Sequence, residues 1–269
     1  MSAIPPVPKP VTVPEFRAAK ARGEKLVVVT AYDYTSARLA DESGVDCILV
    51  GDSLGMVIQG HQTSLPVTLG QMAYHTECVV RGTRRALVVA DLPFLSYQIS
   101  PQQAVRSAGK LIKKAGAHAV KLEGGERMAG AIRAIVNAGI PVMGHVGLTP
   151  QSVHLLGGFK VQRDLEQLLA DAKAVEDAGA FSVVVESVPA EVGAKITQAV
   201  TIPTIGIGAG PNCDGQVLVF HDLLGLYADF KPKFVKRYAE IGTQIHTALQ
   251  AYGQEVREGK FPGAEQSFR

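Results

Sequence analysis

Seven polar side chains that could carry out chemistry stand at or directly after the ends of short apolar runs. They are Asp52, Ser53, Asp91, Lys121, Glu123, His145 and Glu186. Carboxylates gathered in a small space repel one another, and a bound cation relieves that repulsion. Asp52, Asp91 and Glu123 offer only oxygen ligands, which suit Mg²⁺, with Mn²⁺ as a substitute, better than zinc. These three acids are therefore the predicted metal ligands.

The two aspartates also have a plainer interpretation. An aspartate after a strand commonly accepts backbone N–H groups of the turn or helix that follows, so Asp52 and Asp91 could serve only as caps. Three acids after successive apolar runs favour the metal site over capping.

Lys121 and Glu123 are two residues apart, so on a strand their side chains point to the same side. Lys121 could form a salt bridge with Glu123, form a Schiff base with a carbonyl substrate, or bind an anionic substrate. Anion binding is favoured, because neighbouring carboxylates keep the ammonium group charged.

Glu186 follows three valines. An apolar wall of this kind suits a general acid or base, and an ion pair with a loop cation is the alternative. For His145, a substrate or ligand contact and a purely structural hydrogen bond are equally compatible with the sequence.

A glycine-rich segment, GIGAG at 206–210, lacks the third glycine of the GxGxxG pattern. It predicts a tight turn or an anion contact through backbone N–H groups, and not a dinucleotide site. Nearby Cys213 has no base partner in the sequence and is interpreted as a bystander.

The elements that must position these residues are eight short apolar runs. Apolar and polar residues do not alternate within them, as in strands covered on both faces. They span 26–30, 47–51, 86–90, 119–123, 141–145, 181–186, 204–208 and 217–220. Helical patterns that often close on glycine lie between most of them. This alternation favours a (β/α)8 TIM barrel over an open doubly wound sheet, and the active site of such a barrel lies at the carboxyl ends of the strands.

The predicted organisation is one barrel domain over 1–269. It includes an N-terminal extension over 1–24 and a C-terminal extension over 231–269, whose stretch 231–259 is predicted to form one or two helices that pack on a neighbouring subunit. No second domain is predicted.

The composition of the chain excludes several classes of function. The 269 residues carry a formal net charge of +2 and 6% aromatic residues without tryptophan, so the chain has no electrostatic footprint for nucleic acid or a membrane surface. Three cysteines without CxxC spacing predict neither a disulfide framework nor a zinc site. We expect a cytoplasmic protein that acts on small molecules.

The motifs VGDSLGM, ADLPF, VKLEGG, GHVGLTPQSV and GIGAG together resemble the ketopantoate hydroxymethyltransferase family, and the resemblance extends over nearly the whole chain. It implies a Mg²⁺-dependent barrel that transfers a one-carbon unit from 5,10-methylenetetrahydrofolate to 3-methyl-2-oxobutanoate. A Mg²⁺-bound enolate would lead to 2-dehydropantoate, in pantothenate biosynthesis. The resemblance also implies a homo-oligomer, which in bacteria is commonly a homodecamer.

The resemblance also implies roles for individual residues. Asp52 and Asp91 would bind Mg²⁺, Glu123 would complete the site directly or through water, and Glu186 would be the catalytic base. The predicted substrate-binding set is Asp52, Ser53, Asp91, Lys121 and His145. One departure is visible, because Arg163 and Asp164 lead almost directly into the next helix where the family often has a longer loop.

Two other functions are compatible with the same residues. A Mg²⁺-dependent lyase or mutase acting on a related oxoacid, as in barrels like phosphoenolpyruvate mutase and isocitrate lyase, could use the same metal site. A binding or assembly protein could keep the barrel without catalysis. A requirement for folate would distinguish the hydroxymethyltransferase from the lyase or mutase. Isotope exchange at the substrate would distinguish it from the binding protein.

Overall fold

The computed structural model describes residues 9–227 and 232–268. The chain divides into two compact units, Met1–Val219 and Phe220–Arg269. The first unit contains every predicted site residue. The predicted extension over 231–269 begins inside the second unit.

The first unit is a closed barrel of eight parallel strands in sequential order, with the last strand paired to the first. The strands are β1 Leu26–Thr30, β2 Cys47–Val50, β3 Leu87–Asp91, β4 Ala119–Lys121, β5 Val142–Gly147, β6 Ser182–Glu186, β7 Thr204–Ile207 and β8 Gly215–Leu218. The predicted (β/α)8 TIM barrel is therefore confirmed.

Helices alternate with these strands. Those of the first unit are α1 Val13–Arg22, α2 Tyr34–Glu42, α3 Leu54–Val57, α4 Leu69–Gly82, α5 Pro101–Lys113, α6 Ala129–Asn137, α7 Val153–Leu156, α8 Leu165–Asp177 and α9 Ala190–Ala199, with 3-10 turns at Glu126–Met128 and Pro150–Ser152. Side-chain caps fix several starts, for example Asp164 at α8, whose carboxylate accepts the N–H of Gln167. The loop after GGFKVQ thus ends in a helix cap.

The eighth strand begins two residues before the predicted run 217–220, and Phe220 starts a short helix of the second unit. Glycine at 215 concealed the start of this strand. A Cβ atom there would lie 2.5 Å from the carbonyl oxygen of Leu26, its partner on β1. The close approach of the two backbones that close the barrel therefore requires glycine.

Helix α1, inside the predicted N-terminal extension, packs on the barrel. The ring of Phe16 meets that of Phe181 edge to face at 5.8 Å, and both are buried. Their cluster includes inward-facing residues near the strand starts, among them Leu26, Cys47 and Leu87. This apolar layer supports the barrel at its amino end.

Buried or half-buried acids at the amino end accept hydrogen bonds from the backbone. Asp41 accepts the N–H groups of residues 84–86, just before β3, at distances from 2.7 to 3.2 Å. Asp214 accepts the N–H of Thr204 at 2.9 Å. These carboxylates tie helix ends and loops to strand starts.

Glu176 of α8 makes a similar contact, because it accepts both the N–H and the hydroxyl of Thr201 at 2.6 Å. Partial burial acts in the opposite direction, but the hydrogen bonds from Lys173 and Thr201 outweigh it and lower the pKa of Glu176 to about 2.

The second unit contains α10 Phe220–Leu223, α11 Ile241–Arg257 and a 3-10 turn at Ala264–Gln266. Within the predicted stretch 231–259 the described residues form one helix, α11, and residue 231 lies outside the described range. Through residues 9–227 and 232–268, no helix has the length and apolar character needed to cross a membrane.

Candidate active site

The predicted site residues lie at the carboxyl end of the barrel. Asp52 and Ser53 follow β2, Asp91 ends β3, Lys121 ends β4, Glu123 follows two residues later, His145 lies within β5 and Glu186 ends β6. Asp52, Asp91, Lys121, Glu123 and His145 are all buried, each with 5% or less of its surface exposed. The sequence therefore brings its polar residues to the end where barrel enzymes place their active sites.

Asp91 joins the ends of three strands. Its Oδ1 accepts a hydrogen bond from Nζ of Lys121 at 2.6 Å, and its Oδ2 accepts one from the backbone N–H of Asp52 at 3.1 Å. The register pairs Asp91 with Lys121 directly. The salt-bridge alternative for Lys121 named Glu123 as partner, and the structure places Asp91 there because these two residues are neighbours across the ladder.

Gln151, in the 3-10 turn that follows β5, connects two of the predicted metal ligands. Its side-chain Nε2 donates to Oδ2 of Asp52 at 2.9 Å, and its backbone N–H donates to Oε2 of Glu123 at 2.9 Å. The side chain is buried. Asp52 and Glu123 are thus held by a residue that was absent from the predicted site.

Tyr97, in the loop after β3, is a second residue missing from the prediction. Its buried hydroxyl donates to Oε1 of Gln151 at 2.8 Å and accepts the backbone N–H of Glu123 at 3.1 Å. Both residues are uncharged loop residues without periodicity, so nothing marked them as functional. The nearest signal is that Gln151 belongs to the motif GHVGLTPQSV, which begins one residue before His145.

Burial and mutual repulsion govern the electrostatics of the acids. Burial, together with the charge of Asp91, raises the pKa of Asp52 to about 7. Burial, together with the charge of Asp52, also raises the pKa of Glu123 well above its usual value. For Lys121, burial opposes the charged form, but Asp91, Glu123 and Asp52 outweigh it and raise its pKa. Lys121 is therefore a charged ammonium group.

His145 lies between two acids. Its Nε2 is 3.2 Å from Oε2 of Glu186, and its Nδ1 is 3.8 Å from Oε1 of Glu123. The contact of Nδ1 is too long for a hydrogen bond, and the contact of Nε2 lacks the alignment of one. Burial and the positive charge of Lys121 lower the pKa of His145. The histidine is thus a neutral ring beside Glu186, with ring nitrogens available to a ligand.

Glu186 is the most accessible of these acids, with 15% of its side chain exposed. The residue after it, Ser187, has the positive φ angle of 49°, which is uncommon for a residue with a side chain. The carbonyl of Ser187 accepts the N–H of Gln162, from the loop before α8. The predicted short loop is therefore attached directly beside the predicted base.

Ser53 is held by Tyr32, whose hydroxyl oxygen lies 2.8 Å from Oγ of Ser53. A Cβ atom at residue 51 would lie 2.8 Å from the same Oγ, so Gly51 leaves room for this serine. The backbone of the GIGAG segment turns with positive φ angles at Gly208 and Gly210, which agrees with the interpretation as a tight turn.

Within the two described ranges, no three acid, histidine or cysteine side chains are already gathered as a metal-binding cluster. The side chains of Asp52, Asp91 and Glu123 instead make contacts with Gln151 and Lys121. Their role as metal ligands stays a prediction.

Comparison with known proteins gives one consistent result. A sequence profile described as "Ketopantoate hydroxymethyltransferase" matches residues 10–264. The 3-methyl-2-oxobutanoate hydroxymethyltransferase of Moorella thermoacetica is 59% identical over 263 residues, which cover 96% of this chain and 98% of the relative. The protein of the same name from Heliobacterium modesticaldum is 56% identical, with 97% and 96% covered.

Solved structures share the fold at low identity. Phosphonopyruvate hydrolase superposes with a TM-score of 0.64 at 13% identity, covering 94% of this chain and 89% of the hydrolase chain. The 2,3-dimethylmalate lyase, a member of the PEP mutase/isocitrate lyase superfamily, gives 0.63 at 19% identity, with 96% and 89% covered. These similarities concern the barrel architecture.

Proposed function

The chain belongs to the ketopantoate hydroxymethyltransferase family, and from this premise we propose that it transfers a hydroxymethyl group to 3-methyl-2-oxobutanoate through an enolate. The one-carbon donor in this proposal is 5,10-methylenetetrahydrofolate, water supplies the hydroxyl oxygen, and the products are 2-dehydropantoate and tetrahydrofolate. The observation that carries the proposal is the buried group of three carboxylates around Lys121 at the carboxyl end of the barrel, with Glu186 and His145 beside it.

The donor set fits a hard divalent cation. Asp52, Asp91 and Glu123 carry up to three negative charges, against the single charge of Lys121, in a buried space. The raised pKa values of Asp52 and Glu123 come from burial and repulsion, and a cation among these oxygens would reduce the repulsion. Asp52 and Asp91 would hold it, with Glu123 in direct or water-mediated contact. When bound, such a cation polarises the keto group of the oxoacid as a Lewis acid.

Glu186 would remove the proton from C3 of the oxoacid. Its carboxylate is partly accessible. The carboxylates of Asp52, Asp91 and Glu123 are instead buried and accept hydrogen bonds from Gln151 or Lys121. The neutral ring of His145 beside Oε2 can donate or accept one hydrogen bond and so orient either Glu186 or the substrate.

Lys121 and Ser53 would bind the oxoacid. The ammonium group of Lys121 is kept charged by its acids and can stabilise the substrate carboxylate or the negative charge that develops on removal of the proton. The hydroxyl of Ser53, held by Tyr32, can donate a hydrogen bond to the same ligand.

Proton exchange at C3 tests this proposal. Wild-type protein with Mg²⁺ and 3-methyl-2-oxobutanoate in D₂O, without folate, is expected to exchange the C3 proton, followed by NMR. Glu186→Gln should slow the exchange by about 10²–10⁴-fold, the usual contribution of a positioned base. Glu191→Gln, an exposed glutamate five residues later, should exchange like wild type.

Addition of 5,10-methylenetetrahydrofolate should then give 2-dehydropantoate. Exchange without product would contradict the folate donor. Absence of exchange in wild type, with and without folate, would contradict the enolate and favour a binding protein.

We also propose that the chain acts as a homo-oligomer, with the homodecamer as the expected state. Helix α11 exposes Ile245, Leu249, Tyr252 and Val256 at helical spacing, and an apolar stripe of this kind is typical of an interface. Sedimentation velocity should give the mass of ten chains. A monomer at micromolar concentration would contradict this proposal.

A further inference from the structure

Gln151 makes hydrogen bonds with five groups from three loops, four through its side chain and one through its backbone N–H. Besides Oδ2 of Asp52, its Nε2 donates to the carbonyl oxygen of Leu92 at 3.0 Å. Its Oε1 accepts from the hydroxyl of Tyr97 at 2.8 Å and from Nε2 of Gln98 at 3.1 Å. The side chain is 6% exposed, so these contacts are made away from water.

This environment requires an amide. Two acceptors, the carboxylate of Asp52 and the carbonyl of Leu92, face Nε2, and two donors, from Tyr97 and Gln98, face Oε1. A carboxylate at 151 could not donate to Asp52, and a hydrocarbon would leave all four groups without this partner. The four contacts also fix which end of the amide faces the acid.

The backbone of the same residue holds the second acid. The N–H of Gln151 donates to Oε2 of Glu123, while the backbone N–H of Glu123 donates to the hydroxyl of Tyr97. Asp52 and Glu123 come from strand ends two positions apart in the barrel order, β2 and β4. One residue therefore fixes the position of both acids without touching the ion pair of Lys121 and Asp91.

We propose that Gln151 is a positioning residue, whose side-chain amide holds the carboxylate of Asp52 at a fixed place relative to Glu123 so that both can bind one divalent cation. This inference rests on the proposed function, because it uses the metal site proposed there. It assigns Gln151 no contact with the oxoacid.

Removal of such a supporting hydrogen bond lowers metal affinity by about 10–100-fold in other metal sites. Loss of the amide frees Asp52 to turn, so the cation must order it on binding. Once the cation is bound it holds Asp52 itself, so turnover at saturating metal should return to within about threefold of wild type. If Gln151 had a purely structural role, its loss would not weaken metal binding while leaving turnover at saturating metal nearly unchanged.

The experiment compares Gln151→Met with Gln103→Met in the full-length protein. Methionine has nearly the volume of glutamine but makes none of the side-chain hydrogen bonds of the amide. Gln103 is the control, because its side chain is also held by hydrogen bonds, to the carbonyl of Leu95 and from the N–H of Ile99, but touches no predicted metal ligand. The probe is Mn²⁺ alone, titrated by calorimetry and by the loss of its free-ion EPR signal.

Gln151→Met is expected to raise the Mn²⁺ dissociation constant at least tenfold, and Gln103→Met less than twofold. A folded Gln151→Met protein that binds Mn²⁺ within twofold of wild type overturns the inference. So does one with unchanged affinity and a large loss of turnover at saturating Mg²⁺. If wild type itself binds no Mn²⁺, the proposed metal site fails, and the inference fails with it.

A second variant covers the case in which Gln151→Met does not fold, as judged by circular dichroism. Gln151→Asn keeps an amide in the same loop but is one methylene shorter, so it cannot reach Asp52 while still meeting Tyr97. The same tenfold loss of Mn²⁺ affinity supports the inference, and affinity within twofold of wild type overturns it.

Discussion

At the amino end of the barrel, Asp41 accepts three backbone N–H groups, whereas at the carboxyl end Asp52 is buried beside Asp91 and is joined by Gln151 through a single amide. The pKa values differ in the same way. Glu176 at the amino end has its pKa lowered to about 2, and Asp52 has its pKa raised to about 7. Ionisation of Glu176 therefore stabilises the folded protein, whereas ionisation of Asp52 opposes folding.

Under the proposed function, this difference separates acids that serve the fold from acids that serve a ligand. Backbone donors at the amino end are fixed by the strands they start, so they satisfy a carboxylate permanently. The acids at the carboxyl end would, under the same proposal, gain a further partner when a cation binds. Substitutions that neutralise an acid should consequently have opposite effects at the two ends.

The largest expected effect is at the carboxyl end. Lys121→Met should lower kcat/KM by about 10³-fold, because a charged donor in a water-poor site is lost. Steady-state assays of 2-dehydropantoate formation measure it. Lys110→Met, at an exposed lysine of α5, should stay within twofold of wild type. Equal losses in both variants would remove the distinction between catalytic and surface lysines.

Asp41→Asn should destabilise the protein and leave its activity unchanged. The amide nitrogen of asparagine would face backbone N–H groups of residues 84–86, so the free energy of unfolding should fall by about 2–3 kcal/mol. Urea unfolding measures the change. Glu42→Gln, at the exposed neighbouring acid, should change it by less than about 0.5 kcal/mol.

Asp52→Asn should instead stabilise the protein and lower its activity. Because the folded protein raises the pKa of Asp52 from 3.8 to about 7, this group lowers stability increasingly as the pH rises from 3.8 to 7, and its full cost is present above pH 7. In chelator at pH 8 we expect the variant to gain about 1–2 kcal/mol in free energy of unfolding, while its activity with Mg²⁺ falls at least about 100-fold. Loss of stability in Asp52→Asn would show that the two ends of the barrel treat buried acids alike.

The smallest effect is expected at Glu176. Its folded-state pKa lies below the usual value, so it stabilises the protein above pH 4.5 and loses this contribution as the pH falls from 4.5 towards 2. Glu176→Gln should lower the free energy of unfolding by less than about 1 kcal/mol at pH 7, since its contact with Lys173 is screened by solvent. The difference from wild type should disappear near pH 2. Asp177→Asn, at the exposed next residue, should show little effect at either pH.

The sequence predicted the barrel because each strand is a short apolar run and each charged residue of the site stands at the end of such a run. Asp52, Asp91 and Lys121 were found in this way, and their convergence follows from the parallel order of the strands. Periodicity and charge are visible in one sequence, so features that depend on them could be predicted.

Other features depend on contacts across the fold and left no such mark. Gln151 and Tyr97 are neutral loop residues whose importance lies in the groups that surround them. The start of β8 at Gly215 was missed because glycine usually indicates a turn, and its close contact with Leu26 joins opposite ends of the barrel sequence. Helix α11 begins at Ile241, after a stretch that the broad prediction over 231–259 had included.

The seam between β1 and β8 has a consequence for synthesis on the ribosome. The barrel closes only when the last strand pairs with the first, so the chain must emerge as far as Leu218 before β1 receives its second neighbour. Until then, β1 and β7 each present an unpaired edge that can join another chain. Translational pausing before β8 has emerged from the ribosome should therefore favour aggregation of the nascent chains, whereas pausing after β8 has emerged should leave a closed barrel already formed.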